Sequence, residues 1–326
     1  MTTLVTGSSG HLGEALIRRL AADGQSARGL DIKPSPFTTH VGSIADRAFV
    51  HACLDDVDTI IHTATLHKPH VATHSRQDFV DVNITGTLNL LEEAAASGIG
   101  SIIFTSTTSV FGDALRPPPG EPAAWVTEDV RPIPKNIYGI TKLTAEELCA
   151  LFHRLHGLRA IVLRTSRFFP EEDDSRAMRE TYADTNIKVN EFLYRRVDVE
   201  DVVEAHLLAR ERAPAIGFDR FIISATTPFD RDDLADLRGG APSVLAKRCP
   251  GYEAEYDRRG WTMFPTIDRV YVNAKARERL GWRPRHDFSA IIDRLSQDQE
   301  PWSPLARAVG LKGYHNRTFS DGPYPV

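Results

Sequence analysis

The first thirteen residues limit what this chain can fold into more than any later stretch. Apolar Leu4 and Val5 break into Thr6-Gly7-Ser8-Ser9-Gly10-His11-Leu12-Gly13, and Leu12, Ala15, Leu16 and Leu20 then recur on one helical face. The order is strand, glycine turn, helix. Gly7 suits the tight turn, Gly10 lets backbone approach a pyrophosphate, and Gly13 lets helix pack closely on strand. The N-terminus of such a helix offers unpaired N–H groups and the positive end of its dipole to phosphates. Eighteen residues past Gly13, the short strand Ala27-Arg28-Gly29-Leu30 ends in Asp31. An acid there accepts hydrogen bonds from the adenosine ribose and repels the extra phosphate of NADP. The alternative is a solvated turn aspartate before Lys33-Pro34, with Arg28 and Lys33 close by.

The chain has 326 residues, 41% of them hydrophobic, and a formal charge of −5. That length suits one large α/β domain with a smaller appended lobe. The mild acidity gives no support for binding nucleic acid or anionic membranes. No apolar run approaches the roughly 20 residues that span a bilayer, so no membrane partner is expected. The N-terminus enters the first strand at once, which reads as no signal peptide. Cys53, Cys149 and Cys249 lack Cys-x-x-Cys spacing and read as unpaired thiols of a reducing cytoplasm.

Along the chain, Val57–His62 reads as a buried strand leading into the loop Thr63-Ala64-Thr65-Leu66-His67-Lys68-Pro69-His70. A long helix is expected from about Phe79 to Ser97, then a strand, Ile102-Ile103-Phe104, running into the hydroxyls Thr105 to Ser109. The Pro-rich stretch Arg116 to Pro134 reads as an irregular loop of the kind that covers active sites. A helix from Tyr138 to about His156 and a strand from Ala160 to Leu163 follow. The alternation predicts a Rossmann-type, doubly wound parallel sheet over residues 1–165, with further strand and helix contributions from about 190–225. Residues 166–326 are then mainly a smaller C-terminal substrate-binding lobe and a tail. The tail from Glu300 has no period and is expected to wrap the surface or a partner.

Tyr138 precedes Lys142 by four residues, which places both on one helical face. An ammonium beside a phenol favours the phenolate, so Tyr138 is expected to exchange a proton with a substrate hydroxyl while hydride moves to or from a nicotinamide. His62, His67, His70 and His74 are irregularly spaced, and no metal site is expected. Strand-to-loop register places His62 near the cofactor, and His67 or His70 by the substrate, since α/β ligands bind beyond strand C-termini. Arg167 suits either a substrate carboxylate or phosphate, or an ion pair with the acidic run Glu171 to Asp174.

Taken together, these motifs resemble the extended short-chain dehydrogenase/reductase family, in the NAD-dependent epimerase/dehydratase group typified by UDP-galactose 4-epimerase. The resemblance runs from residue 1 to about 290. It rests on the glycine turn, Asp31, Ile61-His62-Thr63-Ala64, and Asn83-Ile84-Thr85-Gly86-Thr87-Leu88-Asn89. It continues through Ser106 to Gly112, Tyr138 to Lys142, Asp198-Val199-Glu200-Asp201-Val202 and Leu280-Gly281-Trp282-Arg283-Pro284. It implies NAD as cofactor, Tyr138 as acid/base, Lys142 as its partner and ribose contact, and Thr107 as hydrogen-bond donor to the reacting oxygen. Cofactor contacts are implied at Gly7, Ser9, Gly10, His11, Leu12, Gly13, Asp31, Ile32, His62, Ala64 and Asn83. His67, Thr108 and Arg167 are the candidate substrate contacts.

Three departures bear on substrate. Dehydratases of the family carry Asp-Glu where this chain has Thr108-Ser109, so dehydration is not expected. Arg167 and Phe169-Pro170 replace the Asn and Gly-Pro of sugar-nucleotide enzymes, and the Arg-rich Pro-Gly-Asp segment shrinks to Arg258-Arg259-Gly260-Trp261. The resemblance implies an epimerase of a sugar or sugar nucleotide. A dehydrogenase or reductase of a free sugar, sugar acid or other small carbonyl compound is the alternative, and a non-catalytic dinucleotide-binding regulator a third. It also implies a homodimer through the helices after Ile84 and Tyr138, with Leu88, Leu91, Leu143, Leu148 and Leu151 on their apolar faces.

Overall fold

The structure is a computed structural model that describes residues 1–313, 315 and 319. Seven parallel strands form one sheet in the order β3-β2-β1-β4-β5-β7-β8. They are β1 (Thr2–Thr6), β2 (Ser26–Asp31), β3 (His40–Val41), β4 (Thr59–His62), β5 (Ser101–Thr107), β7 (Arg159–Thr165) and β8 (Phe218–Ile223). The order reverses between β1 and β4, which opens a crevice beyond the strand C-termini. The central strands are apolar throughout because helices cover both faces. Consecutive residues therefore enter different cores. Val5, Ile61 and Ile103 pack with α1 (His11–Ala22) on one face, while Leu4, Ile60 and Ile102 enter the other. That other face carries α2 (Arg47–Cys53), and Trp282 lies fully buried under the first face, donating Nε1–H to the Asp201 carbonyl at 2.9 Å.

The helix expected from Phe79 to Ser97 is three pieces: α3 (Arg76–Phe79), a π-helical turn (Val80–Thr85) and α4 (Gly86–Ala96). The wide turn turns Asn83 inward, and π-turns are often kept for this kind of placement. Next along the chain comes β6 (Ala124–Val126), inside the supposed irregular loop, pairing in parallel with β9 (Arg269–Tyr271). A pairing partner 140 or more residues away leaves no local trace in sequence, so the loop is in fact a tie to the lobe.

Helix α5 (Ile137–His156) starts at Asn136, whose Oδ1 accepts from Gly139 N at 2.9 Å. The remaining helices are α6 (Arg176–Thr181), α7 (Asp184–Glu191), α8 (Val199–Ile216), α9 (Leu234–Arg248), α10 (Tyr252–Arg259), α11 (Ala274–Arg279), α12 (Phe288–Ser296) and α13 (Pro304–Val309). Between 166 and 295 a separate apolar cluster gathers Ile187, Phe192, Leu237, Leu245, Tyr256 and Phe288 into the core of the lobe. The chain returns to the sheet with α8 and β8.

Two glycines of the first turn are sterically obligatory. Gly7 has φ +73°, and a Cβ there would lie 2.8 Å from Ala64 N. A Cβ on Gly13 would lie 2.0 Å from the Gly7 carbonyl oxygen, whereas one on Gly10 would stand at 3.3 Å from it. Gly13→Ala should therefore push α1 off β1 and lower NAD affinity by at least about tenfold, measured by titration of NADH fluorescence, with a lower Tm. Gly10→Ala should leave Tm close to wild type.

Candidate active site

The strand C-termini open into a cleft of about 1070 Å³. Its floor is the glycine turn, where Gly7, Ser9, Gly10, His11, Leu12 and Gly13 all face the space. Gly10 holds the cap position of α1 and has no side chain to occupy the first-turn N–H groups. Asp31 lines the same cleft with Ile32, and its carboxylate accepts from Ser9 N at 3.0 Å and Lys33 N at 2.9 Å. Those bonds fix the acid at the tip of β2. Arg28 turns away to the Asp55 carbonyl, while Lys33 remains on the rim. An open helix N-terminus, a glycine floor and a fixed acid fit the pyrophosphate and ribose of a dinucleotide.

Ala64 lines the cleft, but His62 and Asn83 stand behind its wall. His62 is buried with both ring nitrogens engaged, Nδ1 with Thr6 Oγ1 at 2.7 Å and Nε2 with Thr87 Oγ1 at 3.0 Å. Burial first, then the charge of Lys142, hold it well below the usual histidine range, so it stays neutral. Asn83 spends its amide on the wall itself. Its Oδ1 accepts from Leu66 N at 2.8 Å and Thr65 Oγ1 at 2.9 Å, and its Nδ2 donates to Thr141 Oγ1 at 3.0 Å. Both residues thus shape the loop after β4 and do not line the cleft. Sequence placed them in the right neighbourhood, but only side-chain direction separates wall from lining.

Tyr138, Thr107 and Thr108 reach the cleft from α5 and the end of β5. The Thr107 hydroxyl, which also accepts from Ser109 N at 3.1 Å, hydrogen-bonds the Tyr138 phenol in the sense that favours phenolate. The expected activation by Lys142 is absent here. Burial pushes the phenol up to about 12, with the Thr107 bond opposing it. Lys142 is buried behind the cleft with its ammonium 4.0 Å from the Phe104 ring centre. Burial lowers that ammonium to about 7, against the opposing influence of Cys149 and Glu146. The spacing put both residues on one helical face, but the phenol takes its shift from burial and Thr107, and the ammonium takes its own from burial, Cys149 and Glu146.

That depressed lysine has a stability consequence. Between pH 7 and 10.5 the unfolded chain holds a proton on Lys142 that the folded chain has lost, so stability rises with pH across this window. Lys142→Met should raise Tm at pH 6, where wild type buries the charge, and the gain should vanish towards pH 10.5 in thermal melts.

His67 stacks on the Tyr138 ring at 5.7 Å between centroids and 12° between planes, with Phe169 edge-on at 5.5 Å. Burial, and the neighbouring His70 and His11, lower it to about 3, so the ring is neutral. His70 lines the cleft as well, its Nδ1 accepting from His67 N at 2.9 Å.

Arg167 lines the cleft, but its guanidinium is taken up by carboxylates. Nη1 lies 2.6 Å from Asp173 and 2.9 Å from Glu191, and Nη2 lies 3.2 Å from Asp174. The ion-pair alternative therefore describes this structure, and the substrate-anion role is set aside. Asp174 also pairs with Lys68, and these two cations overcome burial to bring its carboxyl down to about 2. Glu191, on α7 and fully buried, joins Arg167 to Arg195 and Arg196, each at 2.7 Å. Its i,i+4 spacing to Arg195 was the signal the sequence offered, whereas the bond to Arg167 comes from another segment.

Further residues at the substrate end also escaped the sequence. Arg116, Lys135, Arg195, Arg269 and Tyr271 all face the cleft. Burial, Arg116, Lys68 and Arg269 together lower Lys135, which shows how closely these cations crowd in a chain of net charge −5. Among the described residues no three His, Cys, Asp or Glu side chains are grouped to hold a metal ion. Among them, too, no helix is long and apolar enough to cross a membrane.

Comparison with known proteins agrees with this geometry. Over 169 residues the chain is 33% identical to an uncharacterized protein of Sinorhizobium fredii, a match covering 50% of this chain and 40% of that one. It is 26% identical to a putative UDP-glucose 4-epimerase of Methanocaldococcus jannaschii, over 90% of this chain and 96% of that one. It is 27% identical to a dTDP-glucose 4,6-dehydratase of Streptomyces antibioticus, over 94% and 96% respectively. A short-chain dehydrogenase/reductase superfamily protein from Agrobacterium tumefaciens, solved with bound NAD, shares the fold at TM-score 0.65 and 21% identity, covering 94% of this chain and 97% of that one. The profile of the NAD dependent epimerase/dehydratase family matches residues 3–220. With that match over the sheet, the glycine floor and Tyr138, the chain belongs to the NAD-dependent epimerase/dehydratase family of extended short-chain dehydrogenases/reductases, and its cofactor is NAD.

Proposed function

We propose that this enzyme oxidises a secondary alcohol of a sugar or sugar nucleotide and returns the hydride to the opposite face, so that the net reaction is epimerisation. The observation that carries this reading is the pairing of Tyr138 with Thr107 at the C-terminal end of the sheet, above the glycine floor. NAD supplies the hydride acceptor and, on the return step, the donor. As phenolate, Tyr138 Oη takes the hydroxyl proton as hydride leaves the carbon, and the phenol so formed gives it back when hydride returns; the proton that burial holds on the phenol of the free cleft has to leave first. Thr107 steadies the phenol oxygen while it is charged. Lys142, titrating near 7, is the second group in that proton balance. His67 and Phe169 wall the reacting end with uncharged rings and keep water from it. Thr108 and Ser109 carry no carboxyl, so the site has no acid/base pair there to eliminate water.

Arg116 and Lys135 at the cleft favour an anionic substrate, whereas Lys68 and Arg269 are paired with Asp174 and Asp268. A sugar nucleotide meets that demand with its diphosphate. A sugar acid meets it with a carboxylate, and with such a substrate the reaction would stop at net dehydrogenation. Half-buried Leu151 and exposed Ile140 on α5 support a homodimer, although Leu91 belongs to the core and Leu88, Leu143 and Leu148 also pack against core clusters. The free thiols of Cys53, Cys149 and Cys249 support a cytoplasmic setting.

Product stereochemistry by NMR, with NADH absorbance followed in the same tube, tests the reading on sugar nucleotides, free sugars and sugar acids. A new stereoisomer without net NADH is the expected result. NADH accumulating with an oxidised product would replace epimerisation with dehydrogenation. NAD binding with no turnover of any compound would favour the regulatory alternative.

A further inference from the structure

The tail is the segment whose role neither the sequence motifs nor the family match accounts for, since the match ends at residue 220. Its last helix, α13, is anchored: Leu305, Ala306 and Val309 pack into the core beneath α1 and α8. Gly310, at φ +62°, ends that helix and turns the chain back over the cleft. From there Lys312 N and Gly313 N donate to Glu171 Oε1 at 3.2 and 3.1 Å. Glu171 is in turn 2.8 Å from His11 Nε2, and His11 is the first residue of α1. The Lys312 ammonium pairs with Glu14 in the first turn of the same helix. Beyond it, His315 Nε2 lies 3.0 Å from the Pro69 carbonyl oxygen, on the loop after β4. Lys312, Gly313 and His315 all line the cleft.

We infer that residues 310–313 together with His315 form a strap across the cofactor cleft, tied at the phosphate-binding turn by Glu171, His11 and Glu14 and at the opposite rim by Pro69, and that its opening gates release of the dinucleotide. This rests on the assignment of the glycine floor to NAD. The physical argument is in the kind of contact each part makes. Helix α13 is held by apolar burial, whereas Leu311, Lys312 and Gly313 are exposed and held by polar contacts. Segments with few buried apolar contacts open locally at far lower free energy than the core around them. The strap therefore opens about a fixed point, Gly310, while α13 stays docked. Glu171 is the matching half of the latch. Burial alone would raise its carboxyl, but the hydrogen bond and charge of His11 and the backbone donors hold it below the usual glutamate range, ready to accept from the tail. The same run thereby divides its labour: Glu171 holds the tail, while Asp173 and Asp174 hold Arg167.

The test is the rate of NADH release from the full-length holoenzyme, followed by stopped-flow fluorescence on displacement with excess NAD. A chain ending at Gly310 should release NADH roughly tenfold faster or more, because two hydrogen bonds to a carboxylate and an ion pair are lost. Lys312→Glu sets a like charge against Glu14 in an otherwise intact chain, and should accelerate release in the same direction with an unchanged melting curve of the NAD-free protein. It decides the matter if the shortened chain does not fold. Release at the wild-type rate from Lys312→Glu and the shortened chain would overturn the strap and leave the NAD site standing. Failure of the wild-type protein to bind NADH at all would instead overturn the cofactor assignment beneath it.

Discussion

Tyr138→Phe should lower kcat by about 10²–10⁴-fold while leaving NADH affinity within about twofold of wild type. The substitution removes one oxygen from a ring already packed against His67 and leaves the glycine floor untouched. What is lost is the atom that the proposed mechanism has carry the proton, together with the hydrogen bond from Thr107. Thr107→Ala keeps the phenol and should cost less, on the order of tenfold, because the bond it removes shifts the phenol's ionisation without supplying the proton. Single-turnover NADH formation separates these effects from binding. Retention of wild-type kcat by Tyr138→Phe would remove the tyrosine from the mechanism.

Glu191→Ala should destabilise the fold by about 3–5 kcal/mol in chemical denaturation, a large effect for a residue that does not line the cleft. The carboxylate is fully buried and is the common partner of Arg167, Arg195 and Arg196. Removing it leaves three guanidinium groups facing one another across the wall of the substrate end. Burial would raise the Glu191 carboxyl, but the charges of Arg195, Arg196 and Arg167 prevail and hold it far below the usual range. A depressed carboxyl gives stability that is full above its unfolded value and lost as pH falls through the folded one. Wild type should therefore lose stability steeply in acid, and Glu191→Ala should show a flatter profile there. Equal denaturation midpoints at pH 7 would mean that the arginines find other partners.

The contrast between Glu191 and Tyr138 marks the limit of what a linear reading reaches. Tyr138 and Lys142 are four residues apart, and a helix alone puts them on one face. Glu191 acquires its role from Arg167, on the far side of the acidic run, and from a bridge that sets residue 167 beside residue 196. Likewise β6 is three residues in a Pro-rich stretch until β9 arrives beside it, and nothing within those three residues foretells the pairing.

What the sequence by itself determined is whatever depends on short-range periodicity and sterics. It includes the strand–turn–helix unit with Gly7 and Gly13 irreplaceable at its turn, the Asp31 tip of β2, the parallel alternation up to β7, and the Tyr138–Lys142 face. Each follows from residues near one another in the chain. Only the tertiary structure decided which side chains face the cleft and in what protonation state. His62 and Asn83 lie behind the wall, Arg167 is neutralised by three carboxylates, and burial keeps the Tyr138 phenol protonated and draws down the Lys142 ammonium. The physical reason is the same in every case. Side-chain direction, ion pairing and desolvation are set by groups that the fold brings together from distant parts of the chain, and no local pattern encodes them.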